Sequence, residues 1–94
     1  MSKSRAATRL GDLCTGHGPH PPRPNIEASE NVFVNGLGAH RLGDNWAPHD
    51  HGGVLAAGSL SVFVNGKNLA RIGDPISCGS VVAQGSSNVF AGGN

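Results

Sequence analysis

Asn31-Val32-Phe33-Val34-Asn35-Gly36 decides how the rest of the chain is read. Val-Phe-Val is β-branched and aromatic, which suits a short strand. Asn-Gly is the dipeptide that best tolerates the left-handed backbone of a two-residue hairpin turn. The hexapeptide returns as Ser61-Val62-Phe63-Val64-Asn65-Gly66 and, altered, as Asn88-Val89-Phe90-Ala91-Gly92-Gly93. A second motif, Arg-x-Gly-Asp, alternates with it and ends at Asp12, Asp44 and Asp74. Repetition at roughly 30 residues is the signature of a repeat architecture. Each copy predicts a strand, an Asn-Gly turn, a second short strand (39–42 and 69–72) and a Gly-Asp turn. The glycine-rich stretches 52–59 and 79–86 add one further short strand each.

Such small β units cannot bury a face alone, but units arranged around an axis can share one core. The expected fold is therefore mainly β. The expected organisation is one domain, residues 1–94, built from repeats at about 6–36, 37–66 and 67–93. The Val and Phe positions are expected in the core. Asp12, Asp44 and Asp74 are expected as turn residues that accept local backbone N–H groups. Nothing in the chain has the periodicity of a helical bundle. Seven basic residues against six acidic ones, without a basic block, exclude an electrostatic footprint for nucleic acid. The start, "MSKSRAATRLGD", has no apolar stretch behind its positive charges. It therefore predicts neither a signal peptide nor a membrane anchor, and synthesis in the cytoplasm.

The histidines fall in register with the repeat. His51 lies eleven residues before Val62, and Cys78 lies eleven before Val89. In the first copy that offset falls on Pro21, with His17 nearby and His20, between prolines, next to it. If the copies surround an axis, these loops converge at one end. His49 and His51, at i and i+2, share one side of an extended segment. With Cys78 and one ligand from the first loop they supply the four donors of a closed, structural zinc site. His17, His20 and Cys14 are the candidates for that fourth place. Iron could take similar ligands. Metal binding suits two cysteines beside five histidines better than a Cys14–Cys78 disulfide does. His40 lies in a strand away from the loops and is expected to be a polar or half-buried strand residue. Asp50 is expected to be solvated or to support its histidine neighbours.

"ATRLGD", "AHRLGD" and "LARIGD", alternating with "NVFVNG", "SVFVNG" and "NVFAGG", resemble the PAAR-repeat family over nearly the whole chain, from about Ala6 to Gly93. The family's name motif survives only as "AATR", "GAHR" and "NLAR". The resemblance implies a small conical, pseudo-threefold β-prism with a metal near its vertex. It implies a non-enzymatic spike-tip protein that caps a trimeric β-helical spike, VgrG-like or of a phage tail, one monomer per trimer. Such a tip helps pierce a target membrane and leaves the cell, or sits in the virion, on a contractile injection machine of type VI secretion or phage kind. The family's zinc, held by three histidines and one cysteine, implies His17, His49, His51 and Cys78, because "GHG" resembles its usual ligand turn. Effector cargo is compatible with this role, although a chain of this length is expected to hold no fused effector domain. No small-molecule substrate is implied.

Two other functions fit the residues. A zinc-binding adaptor module could dock a partner by strand addition. A small zinc hydrolase would keep a water on the metal and use Asp50 or Glu27 as general base. The sequence offers more ligands than such an open site needs.

Overall fold

In a computed structural model, which describes residues 4–48 and 52–93, the chain is all β, with no helix among the described residues. Its strands are two residues long: β1 (Arg5–Ala6), β2 (Phe33–Val34), β3 (Leu37–Gly38), β4 (Asn45–Trp46), β5 (Gly53–Val54), β6 (Phe63–Val64), β7 (Lys67–Asn68) and β8 (Phe90–Ala91). Among the described residues four antiparallel pairs form: β2–β3, β4–β5, β6–β7 and β1–β8. The Asn-Gly turns join β2 to β3 and β6 to β7. Asn35 and Gly36 have φ of 53° and 79°, and Asn65 and Gly66 have 54° and 78°. Positive φ at both central residues is the turn whose twist matches that of the strands it joins. The third hairpin is completed from the other end of the sequence. Ala6 pairs with Phe90 and Arg5 with Ala91, where Gly38 pairs with Phe33 and Leu37 with Val34.

A closed ring of backbone hydrogen bonds joins the copies. Thr8 N–H donates to the Ala70 carbonyl (2.9 Å), Ala70 N–H to His40 (2.9 Å) and His40 N–H to Thr8 (3.1 Å). A second set runs outside it, from Leu10 to Gly38, Leu42 to Asn68 and Ile72 to Ala6. Alternation along the ring segments sends neighbouring side chains to opposite sides. Ala7, Ala39 and Leu69 join Val34, Val64 and Ala91 in one buried cluster, next to the hairpins. On the other side Ala70 joins Cys14, Trp46, Leu55, Ile76 and Val82.

Only part of the Val-Phe pattern enters this core. Val34 and Val64 are buried, whereas Phe33, Phe63 and Phe90 are 60%, 55% and 56% exposed. Val32, Val62 and Val89 are also exposed. The expectation that all these positions are core is therefore wrong: alternation turns each Phe away from the core, although it does not account for Val32, Val62 and Val89. The inward space around the axis is small, so it takes the single Val or Ala that precedes each turn and excludes the phenyl ring beside it.

Each Asp of the Arg-x-Gly-Asp motif is a buried acceptor. Asp44 accepts the Arg41 N–H at 2.9 Å and holds Nε and Nη2 of the Arg41 guanidinium at 2.9 and 3.1 Å. Asp12 with Arg9 and Asp74 with Arg71 repeat this geometry. The third guanidinium nitrogen reaches the next hairpin turn, at Asn35 for Arg9 and Asn65 for Arg41. The third copy has no such Asn, and Arg71 bonds the Gly92 and Gly93 carbonyls instead. Arg5 adds a second guanidinium to Asp74, at 2.9 Å, and so ties β1 to the third copy.

His40 is not half-buried, as its strand position suggested, but fully enclosed. Its Nδ1 lies 2.7 Å from the Glu27 carbonyl, so Nδ1 carries the proton and donates. Its ring packs edge-on against Trp46, with centroids 5.1 Å apart. Nε2 is buried with no partner among the described residues. Burial pushes the His40 pKa down, against the Glu27 carbonyl and the Asp44 carboxylate, which favour the cation.

Two expectations follow. Removing Asp74 strands a fully buried Arg71, so Asp74→Ala should lower unfolding free energy by about 3–5 kcal/mol. Asp12→Ala should cost less, because Arg9 is more exposed; urea unfolding of the two variants measures the order. The second concerns pH. An unfolded His40 binds a proton below about 6.5, and the folded one resists it, so stability should fall as pH drops below that value. Thermal melts between pH 7.5 and 5 should show this slope, and His40→Thr, which copies Thr8 of the first repeat, should flatten it.

Candidate functional site

Beyond the second cluster, the three repeats extend as loops that border one another in cyclic order. Ala47 N–H donates to the Pro24 carbonyl, Ser77 N–H to Val54 and Thr15 N–H to Val81, each at 2.9 Å. Equivalent backbone bonds set the register. Asn25, Leu55 and Val82 each donate to the carbonyl of their own Asp: Asp12, Asp44 and Asp74. This places Pro21 and Cys78 at one position of the repeat.

In the first loop His17 and His20 face each other across a two-residue turn at Gly18-Pro19. Their backbones exchange hydrogen bonds of 3.1 and 2.9 Å, and their rings lie edge-on with centroids 5.1 Å apart. Gly16 (φ +73°) allows the close approach of the returning strand, since a Cβ there would sit 2.6 Å from the His20 carbonyl oxygen. In the third loop Cys78 is half-buried and lies against Gly53 of β5. A Cβ at Gly53 would be 3.4 Å from the Cys78 sulfur, so the bare backbone two residues after His51 leaves room beside that thiol. His49, Asp50 and His51 lie outside the described residues. Among the described residues no three His, Cys, Asp or Glu side chains come together as a metal site.

Cys14 sits lower, in the packed cluster at the place held by Trp46 and Ile76 in the other copies. Its sulfur accepts N–H bonds from Gly16 and Arg23 at 3.4 and 3.3 Å. Burial raises the thiol pKa, but bonds from the Ser80 hydroxyl and these two amides outweigh it and leave the pKa below its ordinary value. Glu27 does not stand free as a base either: its Oε1 accepts both the backbone and side-chain N–H of Asn45, at 2.9 and 2.8 Å.

The opposite end carries a second candidate surface. The three hairpins present Phe33, Phe63 and Phe90 at equivalent places, with Val32, Val62 and Val89 beside them, all exposed. Polar side chains knit this end together. Asn35 donates to Asn88, and Asn65 donates to Asn31, at 2.8 and 2.9 Å. Ser29, Ser59 and Ser86 each accept the N–H three residues on, at Val32, Val62 and Val89. Sequence reading assigned the aromatic positions to the interior and so missed this surface. The signal was each Phe beside the Val or Ala that precedes the turn, neighbours that a strand sends to opposite faces.

The profile of the PAAR motif family matches this chain at residues 15–84 and 47–94. Among curated proteins, the chain is 37% identical over 79 residues to the NAD(P)(+) glycohydrolase toxin Tse6 of Pseudomonas aeruginosa. It has the same identity over the same length to the (p)ppApp synthetase toxin Tas1 of that species. It is 35% identical over 68 residues to the double-stranded DNA deaminase toxin A of Burkholderia cenocepacia. These matches cover 72%, 72% and 69% of this chain, but only 18%, 18% and 5% of those proteins.

Proposed function

The chain belongs to the PAAR motif family, and from that premise we propose that it is a non-enzymatic spike tip. In this reading it is a conical, pseudo-threefold β-prism that caps a trimeric β-helical spike of a type VI secretion system or a contractile phage tail. The observation that carries the reading is the set of three exposed phenylalanines borne by a closed ring of three copies. One chain can satisfy a threefold partner only by imitating its symmetry, and here each partner chain would meet the same Phe, Val and Asn-Gly turn. The toxins similar to this chain match it over a small part of their length, which fits a tip module that serves diverse effectors. The tip would leave the cell on the injection machine and meet the target membrane transiently.

The loop end would be the piercing vertex. A vertex has too little volume for a hydrophobic core, so a structural metal is a suitable replacement. We assign it to zinc, with His17, His49, His51 and Cys78 as ligands. The thiol beside a side-chain-free Gly53 and the histidine turn at residues 17–20 fit that donor set. Bound zinc would supply no chemistry beyond cross-linking three loops.

Mixed with a purified trimeric spike, the chain should form a complex of one monomer per trimer by native mass spectrometry; a 3:3 complex would refute the capping role. Phe33→Ala, Phe63→Ala and Phe90→Ala should each weaken it by tens-fold, about 2 kcal/mol, and by similar amounts. For the vertex, elemental analysis should find one zinc per chain. His17→Ala and Cys78→Ser should lose it and melt earlier, while His20→Ala keeps it. Full zinc content in Cys78→Ser would dismiss the ligand set.

A further inference from the structure

The equivalence of the three copies separates surface features that belong to the shared scaffold from those that do not. Leu37 pairs with Val34, Lys67 with Val64 and Arg5 with Ala91, so these three residues hold one position. Ile26, Ala56 and Ala83 hold another, each donating its N–H to the start of a neighbouring loop. On one flank only, both positions are large and apolar. There Ile26 is 57% exposed and Leu37 42%, with Leu10, also 42%, beside them. Together with Phe33 they line a groove of about 540 Å³ that runs from the hairpin end up the side of the molecule. Glu27 and Glu30 also line it, and both share an adjoining hollow with Arg41, whose own charge is held by Asp44. The other described acids, Asp12, Asp44 and Asp74, are all bound to arginines. Among the described residues, the acids without an arginine ion pair therefore sit on this flank; their equivalents on the other two are Ala57 and Leu60, and Gln84 and Ser87, and the place of Leu37 is taken there by Lys67 and Arg5.

We propose that this groove docks one copy of a partner protein, which lays in an extended apolar segment bordered by a basic residue. The symmetric hairpin end offers the same contacts three times, whereas a groove on one flank of three accepts a single copy. The charges set its specificity. Glu30 is exposed and attracts a basic residue, and the remaining Glu27 oxygen adds to this. Lys67 repels the same segment from the second flank, and on the third Arg5, which shares Asp74 with Arg71, leaves a net positive charge, which gives discrimination by like charge. Phe33 and Leu37 belong to both surfaces, so a seated partner borders whatever covers the hairpin end. The inference does not depend on the metal or on the spike.

The test uses the intact chain, labelled with ¹⁵N, and the synthetic peptide acetyl-Lys-Val-Leu-Val-Leu-Lys-amide as probe. Saturable amide shifts are expected at Leu10, Ile26 and Leu37. Glu30→Lys should weaken binding about fivefold, in line with a single exposed charge pair reversed. Leu37→Lys should abolish it without unfolding, because Lys67 already occupies that place in the second copy. The counterpart with Glu in place of both Lys should not bind. Equal binding of both peptides, or shifts spread equally over Phe63 and Phe90, would overturn the proposal. Shifts at these groove residues that follow protein concentration without peptide would overturn it too, by making a second copy of the chain the occupant.

Discussion

Three backbone hydrogen bonds in a closed cycle, joining Thr8, Ala70 and His40, are the constraint on which the other contacts depend. Strands of two residues cannot make a sheet of useful size, and an isolated hairpin is marginal at best in water. Closing the cycle changes this. Each ring segment gains a neighbour on both sides, so no copy has an unpaired edge there, and the alternating side chains of one short segment fill two separate clusters. The cost is that the chain must meet itself: the third hairpin has to borrow β1 from the start of the sequence. The Arg5 ion pair with Asp74 holds that junction.

The copies agree where the backbone demands it and differ where side chains can compensate. Leu13 and Asn45 each present an N–H to the preceding copy, and the acceptors are the side chains of Gln84 and Glu27. At the third such place the residue is Pro75, which has no N–H, and the residue equivalent to Gln84 and Glu27 is Ala57, which has no side-chain acceptor. Close approach is handled in the same way. Gly58 and Gly85 face Asn68 and Ala6, and in the first copy the pair is reversed, with Ala28 facing Gly38. Each site has room for one Cβ, and which strand supplies it is free. Such paired exchanges are local consistency of the kind that singles out one fold.

Much of this was legible in sequence. The Asn-Gly turns and the Gly-Asp turns follow from motifs whose chemistry is local. The carboxylate-binding role of the motif arginines was not drawn from the sequence, although Arg and Asp three residues apart, repeated three times, contained it. Phe33, Phe63 and Phe90 were misplaced because hydrophobicity says that a residue avoids water, but not whether the fold or a partner covers it. His40 was misjudged because its enclosure comes from Trp46 and the Glu27 carbonyl, brought in from other segments of the chain. The segments from Asp12 to Val32, from Asp44 to Val62 and from Asp74 to Val89 differ in length, so the repeat does not extend to His49.

That difference assigns the two ends of the molecule to different kinds of recognition. At the hairpin end the same exposed residues recur, and even the altered third copy keeps its Phe and substitutes backbone carbonyls for the missing Asn side chain. At the loop end equivalent positions are Cys14, Trp46 and Ile76, and Asn25, Leu55 and Val82, so volume and polarity change from copy to copy. Asn25 even uses its side chain to accept the Gly11 N–H, where Leu55 and Val82 use their carbonyls. A threefold partner can read only the end that repeats. The loop end has shed its symmetry, so whatever it contacts or holds must be recognised one residue at a time.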